Sequence, residues 1–175
     1  MLKFNNNFTN YYLKETEKLV WFKKPKVVIK KNENNHYAWF PDGQLNLYEN
    51  CISNNLKKRQ NKTAIITVNQ NKEIRKYSFI QIDKKVNKIA NYIKKISPNK
   101  KLRVMIHASA SLESAVLMFT CAKLGWHFSV IFEELESLGI KNRIKLFRPN
   151  IFFSRLSKKK FISKMGFKSH KKIKF

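Results

Sequence analysis

The chain has 175 residues, with 37 Lys and Arg against 11 Asp and Glu, and a formal net charge of +26. That length suits one domain with a real core. It has no apolar run of the ~18 residues a membrane span needs, and its opening MLKFNNNFTN lacks the apolar centre of a signal peptide, so a soluble cytoplasmic protein is expected.

The charge is unevenly placed. No acid follows Glu136, and residues 137–175 carry +13 of the +26. Such an excess fits a nucleic-acid or anionic-surface partner. It is nearly all Lys, though, and comes with many Asn, Ile and Phe. These residues share A+T-rich codons, so coding bias explains the composition without a binding site. Lys also lacks the planar fork with which Arg reads phosphate or guanine. Cys51 and Cys121 lie in apolar surroundings with no CxxC and no paired His, and two free thiols in a reducing compartment are expected.

In chain order, Tyr11–Trp21 predicts an amphipathic helix with Tyr12, Thr16, Leu19 and Val20 on one side. Pro25 ends it, and Val27–Ile29 is a short extended piece before the turn Asn32–Asn35. Pro41-Asp42-Gly43 predicts a turn in which Pro presets the first corner and Gly accepts a positive φ. Leu45, Tyr48, Cys51 and Ile52 then recur at helical spacing, predicting a docking helix.

Thr63–Val68 and Lys76–Phe79 read as strands joined by the polar loop NQNK. Ser78 with Gln81 makes a capping box, and Phe79, Ile82, Val86, Ile89 and Ile93 give a one-faced helix whose lysines face solvent. Leu102–Ala108 is a buried strand, with Ser109 and Ser111 positioned as helix caps and Glu113 complementing the helix dipole. Leu112–Leu124 is apolar almost all round, Gly125 is its left-handed stop, and His127–Phe132 is a second strand. Together they form a βαβ unit around which the rest must pack. Leu135–Leu146 predicts a helix interrupted by Gly139, and Asn150–Phe153 a further strand.

The fold class is therefore α/β: a partial, mostly parallel open sheet with a β-hairpin at its start and an irregular, helical N-terminal segment before it. Three regions are expected: a docking segment over 1–60, the α/β part over 61–154, and a basic, disordered tail over 155–175. The tail, with Phe161 and Phe167 among its lysines, is the candidate for nonspecific polyanion binding.

Chemistry-bearing clusters are sparse. His36, His107, His127 and His170 share no metal spacing with Cys or acids, and His127, in a strand read as buried, is given a hydrogen-bonded core role. Gly43, Gly125, Gly139 and Gly166 are each isolated, so no Gly-rich phosphate cradle exists in the chain. No catalytic residue and no metal site is assigned.

The block Trp39-Phe40-Pro41-Asp42-Gly43-Gln44-Leu45-Asn46, followed by Tyr48-Glu49-Asn50-Cys51, resembles the N-terminal signature of the acetyl- and propionyl-coenzyme A synthetases. These are AMP-forming ligases of the adenylating superfamily. The resemblance continues through Thr63–Ile66, Tyr77-Ser78-Phe79, Val86–Asn91, Met118–Gly125, His127–Phe132 and Arg143 to Ile151, covering about residues 10–154. It implies a chain that is the start of an incomplete adenylating domain. It also implies chemistry in which a carboxylate attacks ATP, Mg²⁺ offsets phosphate charge, and coenzyme A displaces AMP.

In the family that work falls to a Ser/Thr/Gly-rich loop ending in Lys, a Tyr-x-x-Thr-Glu turn, a ribose-holding Asp and a Lys of a mobile C-terminal domain. None has a counterpart in these 175 residues. The family's Gly-Gly-Phe turn, which lines the coenzyme A site, is replaced by Glu133-Glu134-Leu135. Two carboxylates there restrict the backbone and repel the ligand's phosphates. The expectation is a fragment that is inactive alone and holds no cofactor by itself. A frame slip or a split gene would account for it, and the missing remainder of the synthetase would be its partner.

Overall fold

The structure is a computed structural model that describes residues 6–98 and 101–154. The expected tail over 155–175 lies outside the described residues.

The first helix, α1, spans Asn6–Thr16 rather than Tyr11–Trp21. Its last turn is tightened by the Glu17, Lys18 and Leu19 N–H groups donating three residues back, and the Trp21 indole donates to the Thr16 carbonyl at 2.9 Å. These bonds occupy the carbonyls a longer helix would need, so the chain turns out. Thr16 is buried as expected, but Leu19 and Val20 are exposed. Trp21 starts β1 (Trp21–Lys23).

The extended piece is likewise shifted. Strand β2 is Ile29–Lys31, and it pairs antiparallel with an unexpected β3 (Tyr37–Trp39). The turn between them is closed by Asn32, whose side-chain oxygen accepts the N–H of Asn34 and His36.

The next turn also departs from expectation. Gly43 N–H donates to the Phe40 carbonyl at 2.9 Å, but the residue with positive φ is Phe40, at 47°. Gly43 is needed for room instead: a Cβ there would stand 2.7 Å from Trp21 Cζ3. Leu45 belongs not to the docking helix but to β4 (Gln44–Leu45), which pairs with β1. The helix proper runs through a π turn over Glu49–Ser53 into α2 (Asn54–Arg59), and buries Tyr48 and Ile52.

From residue 63 onward the elements follow the hydrophobic pattern. Strands β5 (Thr63–Val68) and β6 (Ile74–Ser78) form an antiparallel hairpin. The Ser78 N–H donates to Gln81 Oε1 at 2.8 Å in the capping box of α3 (Phe79–Ile96), which buries Ile82, Val86, Ile89, Ala90 and Ile93.

Strands β7 (Arg103–His107), β8 (His127–Ile131) and β9 (Ile151–Ser154) make a parallel sheet in the order β8–β7–β9. Helix α4 (Leu112–Leu124) links the first two, and α5 (Ser137–Phe147) links β8 to β9. Gly125 ends α4 with φ of 65°, as its position predicts. Gly139 does not interrupt α5. It lies inside the helix, where a Cβ would come within 2.9 Å of the Leu135 side chain, and Leu135 itself precedes the helix.

The central strand feeds two cores by alternation. Val104 and Ile106 pack with Ile82, Val86 and Ile89 of α3 and with Val116, Leu117 and Cys121 of α4. Met105, on the other face, packs with Ile131 and Ile140, with Phe152 and Ile144 beside them. Helices α4 and α5 therefore cover opposite faces, the arrangement of a doubly wound sheet. Among the described residues, β8 and β9 are each paired on one side only, and no helix is long and apolar enough to cross a membrane.

Candidate functional site

In a doubly wound sheet, ligands bind at the carboxyl ends of the strands, where successive connections leave for opposite faces. Here that point lies between β7 and β9: the chain leaves β7 through α4 to reach β8 on one side and returns through α5 to β9 on the other, so the order β8–β7–β9 reverses there. The Ala108 N–H donates to the Ile131 carbonyl at 3.1 Å and closes the ends of β7 and β8 together. On the α4 side, Ser111 is the N-cap: its hydroxyl accepts the Ser114 N–H, and its own N–H donates to Ser114 Oγ. Glu113 sits exposed in the first helical turn, beside the positive end of the dipole.

On the α5 side come Glu133 and Glu134. Glu134 is exposed, whereas Glu133 is half-buried and its Oε1 is enclosed without a hydrogen-bond partner. Burying a carboxylate oxygen unpaired is costly, so this turn is not stabilised by its acids.

The histidines fall differently from expectation. His127 is exposed at the amino end of β8, an edge strand, where its N–H donates to the Leu102 carbonyl. The buried histidine is His107 at the carboxyl end of the central strand. Its Nδ1 lies 3.1 Å from Ser154 Oγ, and its Nε2 has no partner. His36 is exposed in the β2–β3 turn, and His170 lies outside the described residues. No group of three or more His, Cys, Asp or Glu among the described residues is placed to hold a metal ion.

A polar cluster that sequence reasoning missed joins three elements beneath the N-terminal segment. The Tyr48 hydroxyl donates to Asp83 Oδ1, and Asn87 Nδ2 donates to Asp83 Oδ2 at 2.9 Å. Lys123 Nζ donates to Asn87 Oδ1 at 2.6 Å and to the Tyr48 hydroxyl at 3.1 Å, and stands 4.4 Å from the Tyr48 ring centroid. Burial and the hydrogen bond to Asp83 hold the Tyr48 phenol well above its ordinary range. One signal was available: a lone Lys in an otherwise apolar helix needs an acceptor.

Beside the cluster, Asn46 Nδ2 donates to the Ala122 carbonyl at 2.7 Å, and Asn46 Oδ1 accepts the Tyr48 N–H. Asp42 accepts the N–H of Lys26 and Val27, and the Lys26 bond above all keeps its carboxyl below the usual range. The block Trp39–Asn46 thus has structural work in this chain: Asp42 ties a loop, Gly43 admits Trp21 and Asn46 docks the segment on α4.

The two free thiols differ in exposure. Cys121 is fully buried and burial pushes its thiol up to about 12, while Cys51 is half-buried. In native protein at pH 8, Ellman's reagent is expected to titrate Cys51 well before Cys121, and in urea both together. The native state keeps the Cys121 proton after the unfolded chain has lost it. The contribution of this thiol to stability should therefore be flat below the free-thiol pKa of about 8.5 and fall as pH rises toward 12. Equal native reactivity of the two thiols would refute the burial.

The fold is an open parallel α/β sheet with helices on both faces, ahead of which sits an N-terminal segment docked on α4 through Asn46 and Tyr48. Residues 3–51 match the acetyl-coenzyme A synthetase N-terminus, and residues 52–174 match the AMP-binding enzyme model. The chain belongs to the AMP-binding enzyme family.

It is 30% identical over 142 residues to the acetyl-coenzyme A synthetase of Helicobacter acinonychis, covering 80% of this chain and 22% of that protein. To the acetyl-coenzyme A synthetase of Helicobacter pylori strain P12 it is 31% identical over 129 residues, covering 73% and 20%. For that of Pasteurella multocida the identity is 27% over 142 residues, covering 81% and 22%. The chain spans about a fifth of the length of the curated relatives it matches.

Proposed function

We propose that this chain supplies the N-terminal part of an AMP-forming short-chain acyl-CoA synthetase, which joins acetate or propionate to coenzyme A at the expense of ATP, and that these 175 residues alone do not catalyse it. Residues 1–60 form the docking segment in this reading, and residues 61–154 form the first part of the nucleotide-binding domain. The observation that carries it is the ordered match of both family models to a chain whose four glycines are all isolated. A phosphate chain needs closely spaced backbone N–H donors and a lysine to neutralise developing charge, and no Ser/Thr/Gly-rich loop ending in Lys is present.

ATP, Mg²⁺ and coenzyme A enter only with the remainder of a synthetase, which is the proposed partner. Its next strand would add beyond β9, at the end of the order β8–β7–β9. The carboxylates of Glu133 and Glu134 disfavour coenzyme A phosphates at that turn even then. A cytoplasmic setting goes with this reading.

ATP–pyrophosphate exchange with acetate or propionate tests it. The purified chain is expected to give no exchange above a protein-free blank, and robust exchange would overturn the reading.

A second reading, binding to RNA or an anionic surface, is favoured by one observation: +13 of the net charge lies in residues 137–175, which contain no acid. Retention of RNA on the chain at graded salt decides it. Affinity that survives physiological salt supports selected binding, and loss by ~0.2 M leaves only counterion release.

A further inference from the structure

The β5–β6 hairpin stands as a two-stranded sheet of its own, and its side chains divide between two faces. Ile65 and Tyr77, opposite each other in register, pack inward against the core that α3 helps to build. The alternate set points outward: Ile66 opposite Lys76, and Val68 opposite Ile74. Ile66 is 57% exposed, and Val68 and Ile74 are each 64% exposed. Three β-branched side chains thus form one apolar strip on the surface.

The strip is held in shape at both ends. In the turn, the Lys72 N–H donates to the Asn69 carbonyl at 3.0 Å, and Asn69 Oδ1 accepts the Glu73 N–H at 2.9 Å. At the far end the Phe79 N–H donates to the Lys62 carbonyl at 3.2 Å. A face already fixed loses little further freedom when it is covered. Apolar residues on both faces are the pattern of a sheet buried between two layers, whereas a sheet with one wet face alternates apolar with polar. Helix α3 supplies one layer, and no described residues cover the other.

Charge narrows what can cover it. Residues 50–82 hold seven Lys or Arg and one acid, Glu73, which already stands 3.7 Å from Arg75. Lys76 lies on the strip itself, and Lys72 and Arg75 are exposed beside it. Two copies meeting through this face would set those cations against their own counterparts, with +26 on each chain. Nucleic acid would find the charge but no aromatic ring to stack on, and the aliphatic side chains would stay wet. A surface with an apolar centre and an acidic rim suits both features. The chain spans about a fifth of the length of the synthetases it matches, and the other four fifths or so offer the polypeptide to carry such a surface.

We propose that the outer face of the β5–β6 hairpin is a docking surface for the remainder of the synthetase, which covers Ile66, Val68 and Ile74 with apolar side chains and meets Lys72, Arg75 and Lys76 with carboxylates. The inference rests on the reading of this chain as an N-terminal part, and it adds the face through which the two parts join. The joint is separate from β9, because the hairpin belongs to a different sheet.

The test co-expresses the full chain with a tagged acetyl-coenzyme A synthetase of Helicobacter pylori strain P12 from which the segment matching this chain has been removed. The two are expected to elute together from the affinity resin, with Ile66→Lys or Val68→Lys lowering retention at least about tenfold. Lys76→Glu, which sets like charges together, should lower it about threefold. Lys88→Met, on the exposed side of α3, should change it by less than about twofold. Urea midpoints of the isolated variants should match the unsubstituted chain, as expected for exposed positions. No co-elution, equal retention of Ile66→Lys and Val68→Lys, or a dimer of the chain alone that Val68→Lys dissolves would each overturn the proposal. ATP–pyrophosphate exchange by the chain alone would instead overturn the reading beneath it, so the two failures are told apart.

Discussion

Replacing Lys123 with Met should destabilise the chain by about 2 kcal/mol, far more than any other lysine substitution among the described residues. The ammonium is the donor that closes the cluster of Tyr48, Asp83 and Asn87 between the N-terminal segment and helices α3 and α4. Removing it leaves the half-buried Asp83 carboxylate without its nearby cation, whereas the exposed pair Lys18–Glu15 is screened by water and contributes little. Tyr48→Phe should cost about 2 kcal/mol, because the bond donated to Asp83 and the bond accepted from Lys123 both go while the buried ring stays.

Neutralising the acid as well distinguishes the mechanism. Lys123→Met with Asp83→Asn should be less damaging than the sum of the singles, since no charge is then stranded. Urea unfolding measures all four variants. A loss below about 0.5 kcal/mol for Lys123→Met would show the cluster to be solvent-screened.

Ile106→Ala should cost about 3 to 4 kcal/mol, as expected for a fully buried aliphatic side chain. Ile106 is fully buried at the middle of β7, in the core shared by α3 and α4. The rigid sheet cannot collapse into the space left behind. Single domains hold only about 5–15 kcal/mol in total, so the variant should lose a large share of its folded population. Ile66→Ala is the control, because Ile66 is 57% exposed on the β5–β6 hairpin and should change stability by less than about 0.5 kcal/mol. Similar urea midpoints for the two variants would show that β7 does not organise the core.

Legibility along this chain followed the number of residues in each period. Helix α3 offers Ile82, Val86, Ile89 and Ile93 at regular spacing, with a capping box at its start, and the structure buries those residues. In α4 the run of apolar residues between Ser111 and Gly125 had both ends marked by local chemistry, and both marks hold. Between α1 and Tyr48 the elements are strands of three residues or fewer, too short for any period to register. There the outcome rests on distant partners: Trp21 leaves the helix because its indole bonds Thr16 and its ring needs the space at Gly43.

The site was legible in family terms and not in geometric ones. Glu133 and Glu134 stood out against the resemblance, yet nothing local to them predicts that Glu133 turns an oxygen inward without a partner. The two histidines show the same limit. His127 and His107 both sit in apolar strands, and only the sheet order, with β7 central and β8 at an edge, exposes the one and buries the other.

By itself, then, the sequence determined the α/β alternation from residue 63 to 154, the helix ends at Ser78, Ser111 and Gly125, and the likeness to adenylating synthetases, because periodicity, caps and motif spacing are local properties. Only the tertiary structure decided the order β8–β7–β9, the clasp of Lys123 on Tyr48 and Asn87, and the meeting of His107 with Ser154. Each of these pairs residues dozens of positions apart, and such pairs are chosen by the competition of whole surfaces for burial rather than by any signal along the chain.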